Sequence, residues 1–129
     1  MEPTIVKQDK KETSNQSNII STETSAYARH LLALNVEKGS GTKAKVEGIS
    51  IGGSTSTAEK AFNGQYAKDK LFSTFITAFP IDKPRYVLMT LFDEPQGLPE
   101  TYGFATAGWN AAVVAGNSVR RLVLSLIHI

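Results

Sequence analysis

The chain has 129 residues, 41% hydrophobic and 20% charged, which suits one small globular domain or a piece of a larger one. The net charge is +2, with Lys and Arg scattered apart from Lys10-Lys11 and Arg120-Arg121, which argues against a nucleic-acid partner or a membrane surface. With no cysteine and only His30 and His128, disulfides, thiolate chemistry and a Cys/His zinc site are excluded.

Residues 1–20 are polar and read as a surface hairpin or loop. A helix is predicted over 21–36. Ser21 can accept from free backbone N–H groups, and Glu23 suits the positive first turn. Tyr27, Leu31 and Leu34 fall at i, i+4 and i+7, with Ala28 and Leu32 beside them, and form its expected apolar face. Gly39 and Gly41 end it.

After Gly48 the texture becomes that of strands, predicted over 49–61, 71–79 and 86–93. Asn63-Gly64 is a hairpin turn signal, and the Pro80 to Pro84 segment is a second turn. Tyr86, Val87, Leu88, Met89, Leu91 and Phe92 are nearly continuously apolar, the pattern of a central strand buried on both faces. A second helix is predicted over 106–123, carrying Ala111, Ala112, Val114, Ala115 and Val119. The expected class is α+β, a three-stranded antiparallel meander packed with two helices.

Gly52-Gly53-Ser54-Thr55-Ser56-Thr57-Ala58-Glu59-Lys60 carries the most specific signal. It resembles the Gly-Gly-Lys-Thr-Gly-Thr-Ala strand of the penicillin-binding proteins, the serine transpeptidases of the β-lactamase-like superfamily that cross-link peptidoglycan. Glu37 to Ala44, Val46-Glu47-Gly48, Asn63-Gly64-Gln65-Tyr66, Ala78-Phe79-Pro80, Asp93 to Gly97 and Thr101 to Asn110 extend the likeness to the class B, division-type enzyme. The resemblance implies that residues 1–123 are the C-terminal part of a transpeptidase domain. Residues 124–129 read as a translated sequencing-adaptor end, a non-native tail, against the alternative of a genuine apolar helix tail.

The family acts through a Ser-x-x-Lys nucleophile, a Ser-x-Asn loop and the Lys-Thr-Gly strand. The serine attacks a D-alanyl-D-alanine stem peptide or a β-lactam, and an oxyanion hole holds the intermediate. This chain offers no catalytic set. The one Ser-x-x-Lys by letter, Ser40 to Lys43, lies in a glycine loop. Ser54 occupies the motif's lysine position and Ser56 its glycine position. Thr55 and Thr57 remain, and the resemblance gives them substrate-carboxylate binding; otherwise they are ordinary threonines of a strand.

Gly52 to Thr55 is no phosphate loop, since no Gly-Lys-Ser/Thr follows. Asp93-Glu94 reads as a strand end, His30 as a surface histidine and Trp109-Asn110 as a packing anchor with a polar neighbour. No residue set calls for a metal or cofactor. The expected partners, by resemblance, are peptidoglycan stem peptides, β-lactams and division proteins, with no nucleic acid.

The expected function is that of a fragment of a D,D-transpeptidase of cell division, inactive alone; the alternative is a small non-catalytic protein binding peptidoglycan or a division partner. The parent family sits at the periplasmic face of the inner membrane. The chain as written has neither an apolar run of the ~20 residues that span a bilayer nor a signal peptide at Met1-Glu2-Pro3-Thr4. It is therefore expected in the cytoplasm if expressed.

Overall fold

The structure, a computed structural model, describes residues 19–127, so most of the expected loop over 1–20, and His128, lie outside the described residues. Helix α1 spans Thr22–Lys38. Its cap is the expected one: the Ser21 hydroxyl accepts from the Thr24 N–H at 3.0 Å, Glu23 lies in the first turn and Gly39 follows the last.

The face α1 buries is only part of the one its spacing suggests: Leu32 and Leu34 are half-buried. Tyr27 and Leu31 are exposed, at 66% and 49%, while Val36 is buried and Leu32 packs over Gly52. Tyr27 and Leu31 do obey the helical period. The side the helix turns inward is set by the sheet it meets, which the period does not encode.

Three antiparallel strands follow: β1 (Gly52–Phe62), β2 (Gln65–Phe79) and β3 (Tyr86–Asp93), in spatial order β1-β2-β3. β1 and β2 form a long hairpin that closes at Asn63 and Gly64, both with positive φ (51° and 78°), as a tight hairpin turn requires. β2 is accordingly longer than its predicted 71–79, and its polar first half pairs with the end of β1 across a register shift at Glu59/Lys60. β1 starts at Gly52 rather than near 49, because Val46 and Ile49 bridge each other in a tight turn around Gly48.

The apolar run of β3 misleads about its place. β3 is an edge strand, and Val87, Met89 and Leu91 are 73%, 55% and 52% exposed. The centre of the sheet is β2, where burial, not sequence, alternates: Ser73, Phe75, Thr77 and Phe79 are buried and the residues between them are not.

Cross-strand partners define the two faces. One carries Gly53, Thr55 and Thr57 of β1, Ser73, Phe75 and Thr77 of β2, and Leu88, Thr90 and Phe92 of β3. Both helices cover it. Phe75, with no exposure, is at its centre, and Thr77 donates to the Gly52 carbonyl at 3.0 Å. The other face carries Ser54 and Ser56, then Phe72, Thr74 and Ile76, then Val87, Met89 and Leu91; Leu32 and Ile81 meet it at Gly52, and Ser54, Ser56, Phe72, Ile76, Val87, Met89 and Leu91 are exposed.

Helix α2 spans Ala111–Ile127, starting five residues after the predicted position. Asn110 stands just ahead of it. Its side-chain oxygen accepts from the Ala111 N–H at 2.5 Å and from the Ser73 hydroxyl, and its amide donates to the Ala105 carbonyl at 2.9 Å. Residues 106–110 are thus held as turns. Ala111, Ala112, Ala115 and Val119 have no exposure, and these small side chains let the helix approach the sheet closely; Val114 is instead 40% exposed. Thr90 donates to the Ala111 carbonyl at 2.9 Å, tying α2 to β3.

Asp93 and Glu94 do not diverge as neighbours on a strand would. Glu94 has φ 49°, and both carboxylates converge on Lys60 at 2.6 and 2.8 Å. Hydrogen bonding, first to Asp93 and then to Glu94, holds the Lys60 ammonium above the ordinary lysine range.

Gly53 is required by packing. A Cβ there would lie 2.6 Å from Phe75 Cζ and 2.7 Å from the Ile76 carbonyl oxygen. Gly53→Ala should therefore lower stability by about 1–3 kcal/mol through overpacking, read as a drop in thermal midpoint. An unchanged midpoint would show that the Phe75 ring is free to move aside.

Candidate functional site

The residues of the Lys-Thr-Gly-like stretch divide between the two faces of β1. Thr55 and Thr57 look into a cleft of about 360 Å³ on the helix-covered face, shared with Ser40, Lys43, Thr106 and Trp109. Ser54 and Ser56 lie on the open face, opposite Ile76 and Thr74. The position where the motif carries lysine therefore presents a neutral hydroxyl on the side away from this cleft.

The cleft is built by the loop after α1, by β1 and by the turns before α2. Asn35, near the end of α1, fixes the first two together. Its amide donates to the Gly53 carbonyl at 2.8 Å, and its oxygen accepts from the Ser40 N–H at 3.1 Å and the Ser40 hydroxyl at 3.2 Å. The Ser40 and Thr55 hydroxyls share a hydrogen bond at 2.6 Å. The Thr57 oxygen accepts from the Ala107 N–H at 3.1 Å, which leaves its own proton without an acceptor among the described residues.

Trp109 forms one wall. Phe104 stacks on it, with centroids 5.7 Å apart and planes at 15°, and Tyr102 meets it edge-on at 5.7 Å. Lys43 Nζ lies 4.2 Å above the indole. The packing-anchor reading of Trp109 holds, and the residue also lines the cleft. Among the described residues no carboxylate lies within ion-pair distance of Lys43, whereas Lys60 meets two.

Ser40 and Lys43 are turned to different partners. Gly41 precedes a short 3₁₀ turn (Thr42–Ala44), no hydrogen bond joins the two side chains, and the lysine is on the indole. Gly52 and Gly53 belong to the strand, so they form no phosphate loop. His30 is exposed on α1.

Asn35 and the binding-type placement of Ser40, Lys43 and Thr106 have no counterpart in the sequence reading. Their one visible trace is a cation within a glycine-flanked loop shortly before the strand.

Beyond the cleft, the model of the penicillin binding protein transpeptidase domain matches residues 1–114. The chain belongs to the penicillin-binding protein transpeptidase family. A probable peptidoglycan D,D-transpeptidase FtsI of Caulobacter vibrioides is 39% identical over 113 residues, covering 81% of this chain and 19% of that protein. Stage V sporulation protein D of Bacillus subtilis is 37% identical over 105 residues, covering 81% of this chain and 16% of that protein.

Among solved structures, the transpeptidase domain of the FtsI4 D,D-transpeptidase from Legionella pneumophila superposes with a TM-score of 0.72 at 28% identity, over 81% of this chain and 37% of that domain. Penicillin binding protein 3 from Mycobacterium tuberculosis, complexed with aztreonam, gives 0.63 at 26% identity over 80% of this chain and 25% of that one. The chain thus spans about a fifth of the length of these curated relatives and about a third of the Legionella domain. The α+β class and the meander with two helices agree with that domain.

Among the described residues no helix is long and apolar enough to cross a membrane, and no group of three or more His, Asp or Glu side chains could hold a metal ion.

Proposed function

We propose that this chain is the substrate-holding part of a peptidoglycan D,D-transpeptidase of cell division, and that it binds stem peptide or β-lactam along β1 without performing the acyl transfer. One observation carries this reading: Thr55 and Thr57, the retained hydroxyls of the family strand, both open into one cleft beside β1, an edge strand of the sheet. An extended peptide can add to such an edge through its main chain, while side-chain hydroxyls hold its end. The nucleophile motif is absent from the sequence, and the cation of the strand motif is replaced by Ser54.

The test is calorimetric titration of the chain with N-acetyl-D-alanyl-D-alanine, with the emission of Trp109, the sole tryptophan, reporting where it binds. Saturable binding is expected, weakened roughly tenfold or more in the Thr55→Val/Thr57→Val variant, about the loss expected for removing hydrogen bonds to a charged group. No saturable binding, or equal binding by that variant, would exclude the reading.

A second reading, a non-catalytic partner of a division protein, is favoured by the exposed apolar face formed by Ile76, Val87, Met89 and Leu91. Pull-down of a division protein that survives lysine substitution on this face would count against it.

A further inference from the structure

The cleft beside β1 contains a cation that the strand motif does not supply. Lys43 comes from the loop between α1 and β1, and its ammonium rests 4.2 Å above the Trp109 ring. Phe104 and Tyr102 also contact that ring, which makes the indole part of a three-ring cluster. A cation over an indole keeps most of its capacity to attract an anion, because the ring quadrupole satisfies it only in part. Lys43 has no carboxylate partner among the described residues.

Around it stand donors without work. The Thr57 hydroxyl already accepts from Ala107, so its proton is directed to whatever fills the cleft. Thr106 adds a further hydroxyl to the lining. By contrast, Ser54 lies on the opposite face of β1 and brings no charge to these hydroxyls.

We propose that Lys43, seated on Trp109, is the charge that recognises the C-terminal carboxylate of a peptide held along β1 in this chain, acting together with the Thr57 hydroxyl. This rests on the reading of β1 as a peptide-holding edge, and adds to it which residue supplies the charge and from which side of the strand. Lys43 is a specificity-determining residue here: it favours ligands ending in a carboxylate over the same ligands with a neutral end. Its charge reaches the ligand across the cleft, while the main chain of β1 holds the rest.

The experiment compares N-acetyl-D-alanyl-D-alanine with its C-terminal amide on the full chain, on Lys43→Gln and on Lys43→Arg. Circular dichroism checks that each variant is folded. The parent chain should bind the acid roughly three- to tenfold more tightly than the amide, as a partly exposed charge-assisted contact allows. Lys43→Gln should bind both about equally, at the parent's affinity for the amide, and Lys43→Arg should restore the preference.

Raising the salt concentration should erode the acid preference and leave amide binding unchanged. If acid and amide bind the parent equally, or if the preference survives in Lys43→Gln, the assignment of Lys43 is overturned while peptide binding by β1 stands. If neither ligand binds, both readings fall together.

Discussion

A labelled penicillin should leave no covalent mass on this chain. Acylation needs a serine whose proton a nearby base can take. The one Ser-x-x-Lys by letter fails on geometry: Ser40 is hydrogen-bonded to Asn35 and Thr55, and Lys43 lies on Trp109. Removing one preorganised group from an acyl-transfer site costs about 10²–10³ in rate, and without the nucleophile no covalent route exists.

The double substitution Ser54→Lys with Ser56→Gly rebuilds the strand motif, and it should also remain unlabelled, since position 54 lies on the face away from Ser40 and Lys43. Intact-protein mass spectrometry of both forms decides. A stoichiometric gain on any serine would overturn the non-catalytic reading, and Ser40 would then be the first position to map.

The second large effect is on association. Ile76, Val87, Met89 and Leu91 stand together on one sheet face, each 47% exposed or more. Each side chain taken out of water contributes roughly 1 kcal/mol or more, and the outer edge of β3 offers unpaired backbone groups to a neighbouring strand. The purified chain should therefore self-associate with rising concentration in light scattering. Val87→Lys with Leu91→Glu should shift it toward monomer, because pairing these faces would then bury charge. A parent chain that stays monodisperse and monomeric to high concentration would refute this.

Local signals of the fold were legible in the residues. Ser21 caps α1 because its hydroxyl meets the Thr24 N–H, and Asn63-Gly64 closes the hairpin because both adopt positive φ. These depend on neighbours in the chain, which the sequence displays.

What depends on neighbours in space was not legible. The apolar residues of β3 indicate that something covers them, but not whether it is a described element. The helical period of α1 offered Tyr27, Leu31 and Leu32 together, yet Leu32 packs inward, beside a buried Val36 that it did not single out, and Tyr27 and Leu31 stay exposed. At the site, Thr55 and Thr57 were found through the family motif. Lys43 was noticed only as a letter match and Asn35 not at all, since their roles arise where three separate segments meet.

Asn35 has a consequence for how a peptide could align on β1. Its amide occupies the Gly53 carbonyl, so an added strand finds that acceptor already taken. Pairing is favoured beyond it, toward Thr55 and Thr57, where the backbone acceptors carry no side-chain amide. Asn35 thus biases the frame of any strand laid against this edge. The sliding by two residues that a bare edge would permit is limited on that side, and the end of a bound peptide is brought to one place along the strand.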